Sequence, residues 1–302
     1  MKEKSHSIKF NENATLSEEE ASNLAQELKN KWQKGNGLTI NKSLIKKIVA
    51  GLSDNRGKLR RTFSESLGLI GEEAIPFLRI VLLKSKNVTA RRAAAKTLRI
   101  IGDPSALPDL LQALVTDKDP VVQGSSVGAM AVFGGEAIEH LIQVLEDPKS
   151  SEMQCGLASW GLSFIGARGS NALKKAALSK NIKVRASSIA ALGEQIQSFS
   201  DNEAKNILSN ALNDQSDEVQ IEALKLIGLL DEQIWDLGLI AAKLNNINPE
   251  IRKQVALSLM KLNAINQIKE LELSLSKEEN IELKNIIRLS IDRIKKYHSK
   301  KD

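Results

Sequence analysis

A glycine returns every 31 or 32 residues in this chain and closes the same phrase each time. Gly71, Gly102, Gly134 and Gly166 end SESLGLIG, AAKTLRIIG, VGAMAVFG and ASWGLSFIG, at spacings of 31, 32 and 32. A fixed period in this range marks stacked two-helix units, each burying its apolar face only against its neighbours. That constraint overrides the two globular domains that 302 residues would otherwise imply. A stack of this kind works through a long groove, so function is sought in the residues lining it.

Composition agrees with helix packed on helix. The chain is 42% apolar but only 3% aromatic, with Leu, Ile and Ala supplying the core. This argues against a sandwich or an aromatic-rich sheet. No apolar run approaches the roughly 18–20 residues of a membrane span, and the polar start, MKEKSHSIKFNENATLSEEE, has no signal-peptide core. The expectation is a soluble cytoplasmic protein. A single cysteine, Cys155, excludes an intramolecular disulfide and a cysteine-built zinc site. The net charge of +6 is uneven. Arg56 to Arg99 holds eleven Lys or Arg against three Glu, a local +8, which leaves −2 for the remainder. The array has one basic end.

Residues 1–15 read as disordered. Ser17 and Glu20 have capping-box spacing and start a helix predicted to reach about Lys34. GNGLT (Gly35 to Thr39) breaks it, and a second helix runs from about Asn41 to Leu52, so residues 16–52 form capping helices. About eight repeats follow over 53–295, then a charged tail at 296–302. With the arginine of each second helix as position zero, the units anchor at Arg60, Arg91, Gln123, Cys155, Arg185, Gln220, Arg252 and Lys284. First helices are predicted at about 73–84, 105–116, 136–146, 170–179, 202–212, 233–244 and 266–275. Pro104, Pro120, Pro148 and Pro249 fall in turns, where a missing N–H costs little.

The phrase IGDPSALPDLLQAL (Ile100 to Leu114), preceded by VTARRAAAKTLRIIG (Val88 to Gly102), resembles the signature of the phycobilisome-lyase HEAT-like repeats. The resemblance covers roughly residues 53–295. It implies an all-α fold, a right-handed α-solenoid of HEAT-like two-helix repeats. The chain as a whole is similar to the E/F-type bilin lyases of cyanobacteria, and among these to the members serving phycoerythrin. What the resemblance implies is a phycobilin:cysteine lyase or chaperone that binds a linear tetrapyrrole, phycoerythrobilin or phycocyanobilin. It would promote thioether attachment of that substrate to a cysteine of a phycobiliprotein subunit. It also implies a possible second lyase or chaperone subunit, and a cytoplasmic place on the stromal side of the thylakoid.

In such solenoids the second helix lines the concave side. Positions three, seven and ten pack on the partner helix, so positions one, five and eight lie opposite. In the Arg91 unit these are Arg92, Lys96 and Arg99. In the next three units they are Gly124, Gly128 and Ala131, then Gly156, Trp160 and Ser163, then Ala186, Ala190 and Gly193. Three successive units thus present no charge on a stripe expected to face water. Each mid-helix glycine costs about 1 kcal/mol relative to alanine, so something should require the small side chain. Close approach of a neighbouring helix and close approach of a ligand or partner are both open. Trp160 beside a small-residue floor would suit a stacked π system. A bilin needs an uncharged slot for its rings and cations for its two propionates. Gly124, Gly128, Gly156, Trp160 and Ser163 are therefore candidates for the groove. Arg61, Arg92, Lys96 and Arg99 are candidates for the propionates or for an acidic partner.

The other polar residues carry less. His6, His140 and His298 have no metal-ligand spacing, no Walker loop or Ser/His/Asp set can be assembled, and no catalytic residue is assigned. Cys155 stands where other units keep arginine, as a half-buried small hydrophobe or as a transient thiol for the bilin. The surviving position-zero arginines read as structural, pairing with Asp or carbonyls of the adjacent turn. Trp32 and Trp235 read as core or interface residues. The alternative function is a non-enzymatic scaffold holding a partner helix or peptide in the groove. A nucleic-acid partner is disfavoured because the central groove lacks a continuous cationic track.

Overall fold

The computed structural model describes residues 10–33, 41–231 and 235–299. The chain divides into two compact units, Met1–Gly161 and Leu162–Asp302. Unit 1 opens with α1 (Glu18–Gln33). Four helix pairs follow: α2 (Lys42–Ala50) with α3 (Gly57–Ile70), α4 (Ile75–Lys84) with α5 (Val88–Ile101), α6 (Leu107–Thr116) with α7 (Pro120–Met130), and α8 (Gly135–Glu146) with α9 (Glu152–Ile165), within which the division falls. Unit 2 holds α10 (Ser170–Ala176) and α11 (Ile182–Ala190), a short α12 (Gly193–Phe199), α13 (Asn202–Ala211) and α14 (Asp217–Ile227), α15 (Leu237–Ala241) and α16 (Pro249–Lys261), and α17 (Ile268–Lys277) with α18 (Ile281–His298). The fold is an all-α solenoid of two-helix repeats. In unit 1 the first helices α2, α4, α6 and α8 form one layer, and the second helices α3, α5 and α7 form another. The core between layers is aliphatic; Leu67, Leu78, Leu98, Leu110 and Leu114 are all buried to 1% exposure or less. Among the described residues, no helix is long and apolar enough to cross a membrane.

The repeating glycine has a conformational cause. Gly71, Gly102, Gly134 and Gly166 sit at φ of 75°, 72°, 59° and 50°, in backbone regions that side chains with a Cβ avoid. Where the glycine is lost in the Arg252 repeat, Asn263 takes its place at φ 51°, and asparagine is among the residues that tolerate this conformation. The repeat anchored at Arg185 departs further. Its second helix stops at Ala190, and α12, which the periodicity did not predict, follows before Ser200 turns the chain at φ 52°.

Position zero is where the repeats are fastened together. Arg91 donates from Nη1 to the carbonyls of Ser85 (2.9 Å) and Lys86 (3.3 Å), and from Nε and Nη2 to Asp117 of the next repeat (2.7 and 3.0 Å). Arg185 repeats the pattern on Ser179, Lys180 and Asp214, and Arg252 on Asn246, Ile247 and Glu278. Arg60 donates to the Asp54 carbonyl, while Gln123 and Gln220 donate to the carbonyls of Asp117 and Asp214, each at 2.8 Å. The expected structural role of the arginines holds. The carboxylates also accept backbone N–H groups that start the next helix, Ser216 N–H to Asp214 at 2.8 Å and Asn280 N–H to Glu278 at 3.1 Å. Cys155 cannot reach as arginine does. Its neighbour Gln154 donates instead to the carbonyls of Leu114 (3.3 Å) and Val115 (3.0 Å).

The ends differ from expectation. The capping box is present, with Ser17 N–H donating to Glu20 (2.8 Å) and Glu20 N–H to Ser17 Oγ (3.2 Å). However, α2 is not part of a cap. It packs against α3 and α4 as the first helix of a full repeat, so the array begins near residue 42 rather than 53. Only α1, which packs on α3, precedes it. Of the stretch 1–15 expected to be disordered, residues 1–9 lie outside the described residues. Phe10 packs edge-on against Phe77 (centroids 5.6 Å apart) and Asn13 accepts from Lys86 N–H at 2.8 Å, so this stretch is anchored by an aromatic contact and a backbone hydrogen bond. The break expected at Gly35 to Thr39 also lies outside. At the other end α18 continues through Lys296 to His298, whose Nε2 lies 2.9 Å from the Asn263 carbonyl, so the expected tail is helical over its first three residues.

Two predictions follow from these contacts. A Cβ at Gly71 meets nothing within 4 Å, so Gly71→Ala isolates backbone strain. It should cost about 1–3 kcal/mol in urea unfolding, while Asn263→Gly should leave stability nearly unchanged. The Asp214 and Glu278 carboxyls are held below the ordinary range, chiefly by hydrogen bonds from Arg185 and Arg252. Their stabilisation is therefore complete above the unfolded carboxylate pKa of about 4 and is lost as pH falls through the lower folded values. Asp214→Asn should cost about 2 kcal/mol at pH 7 and flatten the fall of Tm below about pH 4.

Candidate functional site

The basic end of unit 1 encloses a cavity. Gly57, Arg60, Arg61 and Ser64 of α3 face Thr89, Arg92, Ala93, Lys96 and Ile100 of α5 around a volume of about 280 Å³. The i, i+4 spacing of Arg92 and Lys96 puts both on the face of α5 turned to α3. Arg61 is exposed and shares its charge with Glu65 at 2.7 Å, a bond that holds its guanidinium further into the charged range. Arg60 contributes from position zero, although the sequence stripe did not include it. Arg92 is half-buried, and its Nε is cut off from solvent without a hydrogen-bond partner. Lys96 is exposed. Arg99, grouped with these residues in the sequence, is exposed in the last turn of α5, where it favours the helix dipole, and is not among the lining residues.

The uncharged stripe is shorter than expected. Gly124 and Gly128 of α7 are half-buried, while Gly156, Trp160 and Ser163 of α9 are exposed. Ala131 and Ala186 are buried, at 0% and 2% exposure, so burial accounts for the missing charge there. The glycines divide into two kinds. Cβ atoms built on Gly124 and Gly128 would stand 3.7 Å from Leu157 Cδ2 and from Trp160 Cη2, which is ordinary contact, and one on Gly156 meets nothing within 4 Å. A Cβ on Gly161, by contrast, would lie 2.7 Å from Val127 Cγ1 and 3.0 Å from Leu141 Cδ1. Helix packing therefore requires Gly161 but not Gly124, Gly128 or Gly156. Trp160, 48% exposed, lays the six-membered edge of its indole beside Gly128.

A second apolar face of α9 escaped the stripe analysis. Met153, Trp160 and Phe164 are 55%, 48% and 47% exposed, and with Leu157 they follow the i, i+4, i+7, i+11 rhythm of one helix face. Ala158, Leu162 and Ile165, all at 0%, carry the buried face. The stripe took in Trp160 at position five, but Met153, Leu157 and Phe164 fall at positions −2, 2 and 9, which were assigned neither to the core nor to the groove. Cys155 is half-buried on this helix and is not in a disulfide. Elsewhere, Trp32 donates to Ser66 Oγ at 3.2 Å and Lys205 stands 5.9 Å from the Trp235 ring centroid, both structural contacts. Among the described residues no group of three or more His, Cys, Asp or Glu is placed to hold a metal.

Comparison with known proteins places these features in context. Residues 45–131 match a family model described as HEAT repeats, which begins within α2 as the packing does. The chain is similar to the bilin biosynthesis protein MpeU of Synechococcus sp. (strain WH8020), with 42% identity over 283 residues, covering 94% of this chain and 95% of that one. It is also similar to the uncharacterized phycocyanin operon protein Z of Pseudanabaena tenuis (strain PCC 7409), 29% identical over 43% of this chain and 68% of that one. Among solved structures, the complex of CpcE and CpcF of phycocyanin lyase from Nostoc sp. PCC7120 matches at a TM-score of 0.33 and 15% identity, over 86% of this chain and 96% of that one.

The two kinds of glycine on α9 separate in unfolding measurements. Gly156→Ala should stabilise by about 1 kcal/mol, since it adds helix propensity in open space. Gly161→Ala should destabilise by about 1–3 kcal/mol through overpacking against Val127 and Leu141. A loss of stability in Gly156→Ala would mean that the glycine serves the fold after all.

Proposed function

The chain belongs to the phycobilisome bilin lyase-like family of HEAT-repeat proteins, and from that premise we propose that it is a bilin lyase or bilin chaperone. It binds a linear tetrapyrrole, phycoerythrobilin or phycocyanobilin, and promotes thioether attachment to a cysteine of a phycobiliprotein, with phycoerythrin the foremost acceptor. A second lyase or chaperone subunit and a cytoplasmic location fit this role. The observation that carries it is the juxtaposition within unit 1. An uncharged surface bearing Trp160 on α7 and α9 stands one helix step, about 10 Å, from the cationic cavity of α3 and α5. Gly124, Gly128, Gly156 and Trp160 receive the rings. Arg61, Arg92 and Lys96 receive the acidic groups, while Arg99 is left to steer an acidic acceptor.

The chemistry needs little from the protein beyond placement. The acceptor sulfur adds to the exocyclic ethylidene carbon of the bilin, forming the C–S bond, and the thiol's proton ends on the adjoining ring carbon. Orienting two such reactants can contribute about 7–11 kcal/mol at most. A bound tetrapyrrole held flat by Trp160, with its propionates anchored, leaves only the thiol to be brought up. A scaffold holding a partner helix is the second reading, favoured by the apolar face of Met153, Leu157 and Trp160.

The purified protein, mixed with either bilin and an apo-phycoerythrin subunit, should give a red-shifted complex and colour that survives a denaturing gel. Trp160→Ala should lower the transfer rate at least tenfold. Binding without transfer would assign the chaperone role or require a partner subunit. No spectral change with any bilin would reject the reading in favour of the scaffold.

A further inference from the structure

We infer that the cavity between α3 and α5 is a carboxylate pocket that takes a propionate arm of the tetrapyrrole, so that the protein selects bilins whose propionates are free acids. This rests on the bilin reading above and makes the substrate's carboxylate, rather than its ring system, the element read at this end.

Four cations surround about 280 Å³, and they are not equally occupied. Arg61 is shared with Glu65, and Arg60 spends Nη1 on the Asp54 carbonyl. Arg92 and Lys96 have neither a carboxylate nor a hydrogen bond among the described residues. The contrast with Arg91, Arg185 and Arg252 is instructive, since each of these largely buried arginines is bidentate to an acid. Arg92 also turns inward, yet its Nε is shielded from water and unpaired. A donor in that state calls for an acceptor brought from outside.

The rest of the wall decides what kind of anion. Ser64 and Thr89 supply hydroxyls, while Ala93 and Ile100 supply apolar surface. Ile100 is 50% exposed and leans over Gly68, closer than any Cβ at that position would permit. A fixed apolar lip beside unpaired cations fits a carboxylate on a short alkyl arm, with methylenes on Ile100 and Ala93 and oxygens on Arg92 and Lys96. An inorganic sulfate or phosphate has no apolar part to place there. The volume admits the arm and not the tetrapyrrole, whose rings then lie over α7.

The test compares phycocyanobilin with its dimethyl ester, titrated by absorbance into the full-length protein at low salt. The free acid should bind at least tenfold more tightly than the ester. In Arg92→Gln/Lys96→Gln the acid should fall to the level of the ester, with the ester unchanged within about twofold. Lys84→Gln, which removes a charge from α4 in the other layer, should keep the full discrimination. Equal affinity of acid and ester for the unaltered protein would overturn the pocket and leave the bilin reading standing. Loss of apo-phycobiliprotein binding in the double variant, without acid–ester discrimination, would assign the cations to an acidic partner and overturn it as well. Absence of any spectral change with either form would reject the bilin reading itself. The comparison on the unaltered protein decides the matter even if the double variant fails to fold.

Discussion

Arg91, Arg185 and Arg252 each hold two carbonyls of the turn behind them and a carboxylate of the turn one repeat ahead, and the geometry of the stack depends on that grip. A two-helix unit has no core of its own, so its neighbour must be set at a fixed distance and rotation. Aliphatic packing supplies the affinity but is tolerant in register. The bidentate arginine is directional and supplies the register. Because the same carboxylate accepts the N–H of the residue that caps the following helix, one acidic side chain ties two turns and a helix end together. The acid is present ahead of Arg91, Arg185 and Arg252 (Asp117, Asp214, Glu278), whereas Arg60 has Lys86 in that place. The acid is also absent where position zero is glutamine, the corresponding residues being Lys149 and Asn246.

Around Cys155 this device is missing, and the surface proposed to receive the tetrapyrrole lies in the same place. Gln154 provides a weaker tie to carbonyls alone, and α9 carries an exposed apolar face with Trp160 at its middle. A helix with glycines that packing does not require gives up stability relative to alanine, which is reasonable only if the space above it is used. The basic cavity next to it departs from the same economy in electrostatic form. Elsewhere the half-buried arginines are neutralised by acids, whereas Arg92 is left with an unpaired donor. Small residues without a packing reason and a cation without an acid thus occur in the same unit, on the neighbouring helices α7 and α5.

The repeat was legible because its determinants are local: a positive-φ glycine, a capping side chain and an apolar rhythm are all written within thirty residues. Where local signals changed type, the reading slipped. Asn263 replaces the glycine without changing the turn, α12 inserts an extra helix between second and first helices, and α2 looks like a cap until its packing on α4 is known. The site was legible by composition more than by position. Arg61, Arg92 and Lys96 were found through a helical stripe, while Arg60 was counted as purely structural and Arg99 was counted in although it stands outside the lining.

Taken alone, the amino-acid sequence determined the all-α repeat, its period, its position-zero fasteners and the residue types from which a bilin site could be made. These follow from backbone conformation and from spacing along single helices, which act over a few residues. The tertiary structure decided which side chains meet. It buried Ala131 and Ala186, opened the space above Gly156, laid Trp160 beside Gly128 and closed α3 and α5 around Arg92. The physical reason is that exposure and pairing depend on the approach of a neighbouring helix some thirty residues away, and spacing along one helix carries no measure of that distance.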